Sequence, residues 1–203
     1  MKGLLLLSGG IDSPVAGHLM KKKIEIEAVY FDNAPYADDT NLRRAADNAK
    51  KIGLKRLFVM NNGNSLKEYF KKGDAKFACV FCKRMMLRYS EALAEKIGAD
   101  CLVNGDNLAQ VASQTLQNLK TVSSAVSIPV VRPLIGMDKN EIIAIAKEIG
   151  TFDISTRPAS CCSAVPFKPS TMASIDKMMA EESKVDVASL VSKSLKEMKE
   201  LKL

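Results

Sequence analysis

The chain has 203 residues, of which 30 are Lys or Arg and 23 are Asp or Glu, so its formal net charge is +7. This length suits one α/β domain with a substantial core, and the positive charge suits a protein that meets phosphates. We find no run of about 18 apolar residues and no secretion signal, so we expect a cytoplasmic protein. Aromatic residues are sparse and Trp is absent, which argues against a base-stacking RNA-recognition platform.

The first motif is Ser-Gly-Gly-Ile-Asp-Ser at residues 8–13, between the apolar run at 3–7 and Pro14. The apolar run predicts a buried parallel strand, and Pro14 suits the first position of a helix, which we predict over residues 14–22. The glycines let backbone N–H groups approach a ligand at the positive end of that helix. The motif therefore predicts a phosphate-binding loop, although it matches neither the Walker pattern nor the dinucleotide pattern.

Asp12 is an unexpected residue in such a loop, because a carboxylate repels phosphate. Its presence is explained if it binds a Mg²⁺ ion that neutralises the phosphates. The alternative is that Asp12 only caps the helix.

Strands and helices alternate along the following part of the chain. The apolar runs predict strands at residues 24–31, 57–60 and 101–103. Helical spacing of apolar residues predicts helices at residues 39–52, 65–70 and 85–97. This alternation predicts a doubly wound, mostly parallel sheet, in which ligands bind at the carboxyl ends of the strands.

Two later segments follow the strand at 101–103. We predict a helix over residues 108–119, whose polar residues would contact adenine or ribose unless they only face solvent; they are Gln110, Ser113, Gln114 and Thr115. A second predicted helix ends at Gly150 and begins with a capping box of Asp138 and Glu141. Lys139 lies in its first turn, against the dipole preference, as expected of a residue that meets a phosphate.

The loop at residues 8–13 resembles the PP-loop of the N-type ATP pyrophosphatases, which include GMP synthetase, NAD synthetase and RNA-thiolating enzymes. Four segments resemble, in order, the ATPase domain of the tRNA 4-thiouridine synthetase (ThiI) family: residues 8–17, 83–88, 105–119 and 132–139. The resemblance spans roughly residues 1–170. It implies the adenine nucleotide alpha hydrolase-like fold and an ATP-dependent sulfurtransferase that adenylates a uridine carbonyl in tRNA and then replaces its oxygen with sulfur.

The resemblance also implies functional residues. Together with the loop motif, it predicts that ATP contacts Leu6, Leu7, Ser8, Gly9, Gly10, Asp12, Ser13, Tyr30, Phe31, Lys83, Gly105 and Gln114. It implies that Asp12 and Lys139 support adenylation. The catalytic cysteine is best matched by Cys162, with Cys161 as the near alternative.

The chain also departs from the family pattern. Family members usually carry a tRNA-binding THUMP domain before this domain, and many bacterial members carry a sulfur-delivering rhodanese domain after it; neither is found here. Asn104-Gly105-Asp106 stands where the family commonly has Thr-Gly-Glu, which leaves the role of the shortened acid open. We assign residues 1–170 to the PP-loop domain and residues 171–203 to a helical extension, in which an amphipathic helix from Val187 to Met198 packs on the sheet or forms a dimer contact.

The five cysteines suggest how sulfur would arrive. Cys79 and Cys82 form a CxxC pattern before the helix predicted at residues 85–97, and Cys161-Cys162 follow Arg157-Pro158. Members of the family without rhodanese resemble this chain in the pattern, which implies that Cys79, Cys82 and Cys162 hold three irons of a [4Fe–4S] cluster. Persulfide or disulfide chemistry and a structural Zn²⁺ site are the alternatives. We expect Cys101 to be buried and inert, and the single histidine, His18, to be a packing or surface residue.

Two other functions stay open. The first is a PP-loop enzyme that activates a small-molecule carboxylate or amide. The second is a nucleotide-binding subunit that acts with a separate tRNA-binding protein. The sulfur donor and the oligomeric state, including a homodimer, are not defined by the sequence.

Overall fold

The computed structural model describes residues 1–108 and 111–203, so Gln110 of the polar series lies outside the described residues. The helices and strands follow in this order: β1 (Lys2–Leu6), α1 (Asp12–Lys21), β2 (Glu25–Asp32), α2 (Thr40–Lys51), β3 (Arg56–Asn61), α3 (Gly63–Tyr69), α4 (Ala78–Ile97), β4 (Cys101–Val103), α5 (Leu116–Ser123), β5 (Val130–Val131), α6 (Lys139–Glu148), α7 (Phe152–Ser155), α8 (Ile175–Glu182), α9 (Val187–Lys196) and β6 (Lys199–Lys202). Single 3₁₀ turns at Ala75–Phe77 and Ala112–Gln114 precede α4 and α5.

In the described part of the chain, six strands form one sheet in the order β5-β4-β1-β2-β3-β6. All neighbouring pairs are parallel except β3 and β6. Helices cover both faces, because alternate residues of β1 enter different apolar clusters: Leu4 packs with α4, and Leu5 packs with α1. The predicted doubly wound, mostly parallel sheet is confirmed. The strand order reverses at β1, so the loop after β1 lies where such sheets bind ligands.

Two predicted helices begin earlier than the sequence indicated. The helix predicted over residues 14–22 begins at Asp12, so Pro14 is its third residue. A proline is tolerated there because the first-turn N–H groups have no partner within the helix. The helix predicted from residue 85 begins at Ala78, so Cys79 and Cys82 lie in its first two turns and not in a preceding loop.

A buried charged side chain of α4 has its partner far along the chain. Arg84 interrupts the apolar pattern in the sequence, but its side chain is only 1% exposed. Its guanidinium donates two hydrogen bonds to Glu182 of α8, at 2.7 and 2.8 Å. A buried arginine of this kind cannot be distinguished from an exposed one without knowledge of its partner.

The helix predicted over residues 108–119 is interrupted. Thr115 accepts a hydrogen bond from the backbone N–H of Asn118 and thereby caps α5. The polar residues Ser113 and Gln114 therefore lie in the 3₁₀ turn that precedes this cap. A side chain that satisfies a free backbone N–H favours a new helix start over continuation of the old one.

The C-terminal residues pack on the same sheet. The helix predicted from residue 187 to residue 198 ends at Lys196, and β6 then pairs antiparallel with β3. Arg56 faces Lys202 and Val59 faces Lys199 in this pairing. The change from helix to strand has a tertiary cause, because the edge of β3 offers unpaired backbone groups that the local sequence does not reveal.

Candidate functional site

The nucleotide loop, residues 8–13, connects the carboxyl end of β1 to α1. Ser13 Oγ accepts a hydrogen bond from Ser8 N at 2.9 Å, and the two serine hydroxyls lie 2.9 Å apart. Gly10 N donates to Ser8 Oγ at 3.2 Å. Ile11 precedes α1 and provides no side-chain cap. The first-turn N–H groups of α1 are therefore available to an anion at the positive end of the helix dipole.

Asp12 and Lys139 form a direct ion pair. The distance from Lys139 Nζ to Asp12 Oδ1 is 2.5 Å, and the two residues are 127 positions apart. Each is the first residue of a helix, Asp12 of α1 and Lys139 of α6. The predicted capping box of Asp138 and Glu141 is present at the start of α6 and fixes this end of the helix beside the loop.

Two cavities flank the nucleotide loop. A cavity of about 240 Å³ separates the loop from α4, and the predicted ATP-contacting residues on its wall are Leu6, Ser8, Gly10, Asp12, Ser13, Lys83, Gly105 and Gln114. A second cavity of about 220 Å³ extends toward the end of β2 and is lined by Leu6, Leu7, Ser8, Gly9, Gly10, Tyr30, Phe31 and Cys162, among others. All residues predicted to contact ATP therefore line one of these two cavities, which share Met86. We call the pair the nucleotide cleft.

Gly105 allows the end of β4 to touch the nucleotide loop. A Cβ atom added to Gly105 would lie 2.7 Å from Ser13 N and 2.8 Å from the carbonyl carbon of Asp12. Both neighbours are backbone atoms, which cannot move aside as a flexible side chain can. This position therefore requires glycine for packing, in addition to any contact with a nucleotide.

Asp106, whose role the sequence left open, is the centre of a buried polar network. Its carboxylate accepts hydrogen bonds from Lys83 Nζ at 2.7 Å, Asn104 Nδ2 at 2.8 Å, Gln114 Nε2 at 3.2 Å and Arg132 Nε at 3.3 Å. Burial alone would raise the pKa of Asp106, but the charges of Lys83 and Arg132 outweigh burial and hold this pKa below its ordinary value. Asp106 therefore fixes Lys83 and Gln114 on the wall of the nucleotide cleft.

Gln114 has a buried acceptor available. Its Nε2 donates to Asp106, but its Oε1 is buried without a hydrogen-bond partner in residues 1–108 and 111–203. Leaving such an acceptor unpaired costs roughly 1–3 kcal/mol. A ligand in the cleft with an N–H or O–H group would remove this cost.

A third cavity, of about 200 Å³, is lined by Cys79, Cys82 and Cys162. It shares Lys83 with the first cavity, Cys162 with the second, and Met86 with both. We call it the cysteine cavity. The three cysteines of the predicted cluster thus come together on one wall, although two lie in a helix and one in a distant loop.

Burial holds two thiols of the cysteine cavity, those of Cys79 and Cys82, in their protonated form. Burial raises the pKa of Cys82 to about 12, although a hydrogen bond from Asn62 Nδ2 to Cys82 Sγ, at 3.1 Å, opposes this increase. Burial also raises the pKa of Cys79, and the nearby Cys162 adds to the effect. A group that stabilises thiolate, such as a metal, would therefore be needed to ionise them at neutral pH.

The other two cysteines and the histidine lie outside these cavities, whereas Ser113 of the predicted polar series lines the cysteine cavity. Cys161 is exposed, and Cys101 is buried in β4 as predicted. His18 is half-buried in α1. Within the described ranges, no three Cys, His, Asp or Glu side chains converge closely enough to hold a single metal ion. The sequence singled out neither Asp106 nor Arg132 as a site residue, because the partners that give them a role are distant in the chain.

A larger groove, of about 970 Å³, lies at the amino ends of β2 and β3, with Lys22, Lys23 and Lys55 on its walls. Open α/β sheets bind their ligands at the opposite, carboxyl ends of the strands, and we therefore assign the site to the nucleotide cleft. None of the helices in the described part of the chain is long and apolar enough to span a membrane.

Comparison with known proteins shows the family of this chain. The family model described as "Thiamine biosynthesis protein (ThiI)" matches residues 1–187. A probable tRNA sulfurtransferase of Methanosarcina acetivorans is 41% identical over 207 residues, which cover 98% of this chain and 50% of the relative. The chain thus spans about half the length of the curated relatives it matches.

Two solved structures share the fold. The crystal structure of a 4-thiouridine synthetase–RNA complex with bound ATP has a TM-score of 0.93 and 37% identity, over 98% of this chain and 54% of that chain. The U34-tRNA thiolase NcsA from Methanococcus maripaludis, solved with its [4Fe-4S] cluster, has a TM-score of 0.54 and 16% identity, over 97% of this chain and 72% of that chain. Since the family model covers most of the sequence, the protein belongs to the ThiI family.

Proposed function

We propose that this protein acts as an ATP-dependent tRNA sulfurtransferase that converts a uridine to 4-thiouridine. One observation carries the proposal: the nucleotide loop and Cys162 line the same cavity. A carbonyl activated at the loop would therefore stand beside a sulfur-bearing side chain. The names of the relatives, a tRNA sulfurtransferase and a 4-thiouridine synthetase, support the same reaction.

In the first half-reaction, the uracil O4 attacks the α-phosphorus of ATP. The bond from the α-phosphorus to the oxygen that bridges to the β-phosphorus breaks, and pyrophosphate leaves. The loop N–H groups and Lys139 stabilise the charge that develops on this leaving group, as preorganised donors do. Asp12 would hold a Mg²⁺ ion together with the phosphates, and that ion supplies further charge neutralisation.

In the second half-reaction, a sulfur nucleophile attacks C4 of the adenylated uracil. The C4–O4 bond breaks, and AMP leaves with the former carbonyl oxygen. The nucleophile is either sulfide or the outer sulfur of a persulfide on Cys162, because deprotonated sulfur is the reactive form. The persulfide would leave C4 joined to Cys162 through an S–S bond, which a second thiol breaks by forming a disulfide with Cys162, and an external thiol reductant then reduces that disulfide.

The donor set of the cysteine cavity favours an iron–sulfur cluster over zinc. Cys79, Cys82 and Cys162 would hold three irons of a [4Fe–4S] cluster, which supplies an open fourth iron as a binding place for sulfide. Each cysteine of a cluster binds a different iron, so the sulfur atoms need not converge on one point. A structural Zn²⁺ site needs four converging ligands, and the exposed Cys161 does not line this cavity.

The substrate is tRNA in this proposal, and the sulfur donor is a separate reactant. A homodimer and a separate tRNA-binding protein are compatible with the same chemistry. Five unpaired cysteines fit a reducing, cytoplasmic setting.

Pyrophosphate release tests the proposed substrate. The protein is incubated with ATP and Mg²⁺ and with tRNA, with a panel of small carboxylates and amides, or with neither. We expect release to require tRNA and to be accompanied by 4-thiouridine when a sulfide source is present. Release that requires a small molecule instead of tRNA would contradict the proposal. Release that appears only after a THUMP-domain protein is added would favour the two-subunit alternative.

Anaerobic purification with iron and sulfide analysis tests the cluster. We expect the Cys79→Ala and Cys162→Ala variants to lose most of the iron that the wild type retains. Cys101→Ala is the matched control, because Cys101 is a buried cysteine in β4, away from the cysteine cavity. Full iron in all three variants, or none in the wild type, would leave persulfide chemistry on Cys162 as the sulfur source.

A further inference from the structure

Arg44, in the middle of α2, contacts two parts of the site that are far apart in the chain. Its Nε and Nη2 donate hydrogen bonds to the carbonyl oxygen of Gly9 at 2.9 and 2.6 Å. Its Nη1 donates to the carbonyl oxygen of Arg157 at 3.1 Å, and Nη2 also donates to the carbonyl oxygen of Ser155. One guanidinium thus bridges the nucleotide loop and the segment that leads to Cys161 and Cys162.

The bond to Gly9 orients an amide of the nucleotide loop. The carbonyl of Gly9 and the N–H of Gly10 belong to one planar trans peptide and point in opposite directions. Arg44 holds the carbonyl, so the Gly10 N–H is directed away from α2. Ser155 Oγ donates to the Gly10 carbonyl at 3.2 Å and orients the next amide, that of Ile11, in the same manner.

The charge of Arg44 also acts on the loop. In residues 1–108 and 111–203, no carboxylate lies within ion-pairing distance of this guanidinium. A charged donor polarises the peptide that it binds, and this strengthens the Gly10 N–H at the other end of that peptide as a donor; in this structure that N–H bonds Ser8 Oγ.

The remaining contacts of α2 extend the bridge along the cysteine-bearing segment. Asn48 Nδ2 donates to Ser155 Oγ at 3.0 Å, and Asn41 Nδ2 donates to the carbonyl oxygen of Ser160 at 3.1 Å. Asn41, Arg44 and Asn48 are spaced by three and four residues and therefore lie on one face of the helix. That face follows residues 155–160 up to the cysteine pair.

We infer that Arg44 is a positioning residue that couples the nucleotide loop to the cysteine-bearing segment, so that ATP bound at the loop also orders residues 155–160. The inference rests on the proposed function, since it takes ATP as the ligand of the loop. It adds a route by which nucleotide binding prepares the placement of Cys162 before sulfur transfer. Arg44 does this through the backbone of both segments, without contacting the reacting atoms.

Amide hydrogen exchange measured by mass spectrometry tests this coupling. The proteins are wild type, Arg44→Gln, Arg44→Lys and the control Arg43→Gln, with and without α,β-methylene ATP. Arg43 is adjacent in sequence, but its side chain is 75% exposed. Among the described residues it pairs only with Asp39, the residue that directly precedes α2. Exchange in β1 and β2 monitors the intact fold.

Without nucleotide, we expect Arg44→Gln to speed exchange about tenfold in both residues 8–13 and residues 155–160, because each loses hydrogen bonds to a charged donor. With nucleotide, exchange should slow in both segments of the wild type and of Arg43→Gln. In Arg44→Gln it should slow at residues 8–13 and much less at residues 155–160, where the bond from Ser155 Oγ to the Gly10 carbonyl remains as a direct link, and the affinity for the nucleotide should fall about tenfold. Arg44→Lys keeps the charge but cannot span three carbonyls, so it should restore affinity more than it restores the response of residues 155–160.

Two results would overturn the inference. One is nucleotide protection of residues 155–160 in Arg44→Gln equal to that in the wild type, and the other is faster exchange in only one of the two segments without nucleotide. If fast exchange in β1 and β2 shows that Arg44→Gln is misfolded, the comparison with wild type is made with Arg44→Lys instead. A wild type whose residues 8–13 gain no protection from the nucleotide would instead contradict the proposed ATP site, and the nucleotide-free comparison would still decide whether Arg44 holds both segments.

Discussion

The nucleotide cleft and the cysteine cavity are neighbours, but they differ in the charge on their walls. The cleft has many apolar side chains, yet its wall also carries Asp12 and Asp106, whose carboxylates pair with Lys139 and Lys83. The wall of the cysteine cavity is mainly apolar and includes Leu66, Ala78 and Val165, and burial raises the pKa of Cys79 and Cys82. The proposed phosphate chemistry would thus use charges that the protein itself fixes, together with Mg²⁺, whereas the proposed sulfur chemistry needs a group, such as a metal, that ionises Cys79 and Cys82.

The strongest test of the nucleotide cleft is the removal of the Asp12–Lys139 ion pair. We expect Lys139→Ala and Asp12→Asn each to slow pyrophosphate release by about 10²–10³-fold, because each removes a preorganised charge from the leaving group or its Mg²⁺. Lys147→Ala, in the last turn of the same helix as Lys139, is the control and should keep the wild-type rate. A loss below about tenfold in both variants would show that the pair is only structural.

The reactivity of the thiols tests the cysteine cavity. In metal-free protein at about pH 8, we expect maleimide to modify Cys82 at least about 100-fold more slowly than the exposed Cys161, because so little Cys82 is thiolate. The rate at Cys82 should rise as the pH approaches its pKa of about 12, since the thiolate fraction grows with pH. Equal rates at the two cysteines, measured by peptide mass spectrometry, would mean that burial does not control these thiols.

A substitution of Asp106 tests whether charge also stabilises the nucleotide cleft. We expect Asp106→Asn to lower the free energy of unfolding by about 2 kcal/mol at neutral pH, since the variant loses charged hydrogen bonds to Lys83 and Arg132. The folded pKa lies below the unfolded one, so this stabilisation is present above about pH 4 and is lost as the pH falls through the folded pKa. The difference from wild type in denaturant titrations should therefore shrink toward low pH. Asp153→Asn, at an exposed position, should show no difference at either pH.

Among these substitutions, Gly105→Ala has the smallest expected effect. Gly105→Ala places a methyl group against the backbone of the nucleotide loop and should cost about 1–2 kcal/mol of stability together with weaker nucleotide binding. Gly136→Ala is the matched control, because a Cβ atom there meets nothing within 4 Å. Thermal unfolding with and without a nucleotide measures both effects, and identical behaviour of the two variants would argue against close packing at Gly105.

The two regions also differ in how far the sequence predicts them. The nucleotide loop is one continuous motif, and local rules for glycine, proline and helix ends are enough to predict its phosphate-binding geometry. The pairing of Asp12 with Lys139 is a tertiary contact, yet the sequence indicated both residues separately, Asp12 as a carboxylate in a phosphate loop and Lys139 as a cation at a helix start. The cysteine cavity depends on where α4 begins, and the sequence misplaced that start because Glu182, the partner that buries Arg84, lies 98 positions away.

The contacts around Asp106 and Arg44 could not be predicted for the same reason. Each is a charged side chain whose ordinary place is the surface, and only the folded chain brings it the donors or carbonyls that give it a role. The strand β6 is a further case, since its formation depends on the open edge of β3.

The central claim is that uracil is adenylated at the nucleotide loop and that Cys162, which lines the same cavity, serves only the sulfur-transfer step. The most direct measurement follows pyrophosphate release and 4-thiouridine formation in parallel for the Cys162→Ala variant, with tRNA, ATP and a sulfide source. We expect the Cys162→Ala variant to release pyrophosphate at a rate close to that of the wild type and to form no 4-thiouridine. Formation of 4-thiouridine at the wild-type rate, or loss of pyrophosphate release together with thiolation, would contradict it.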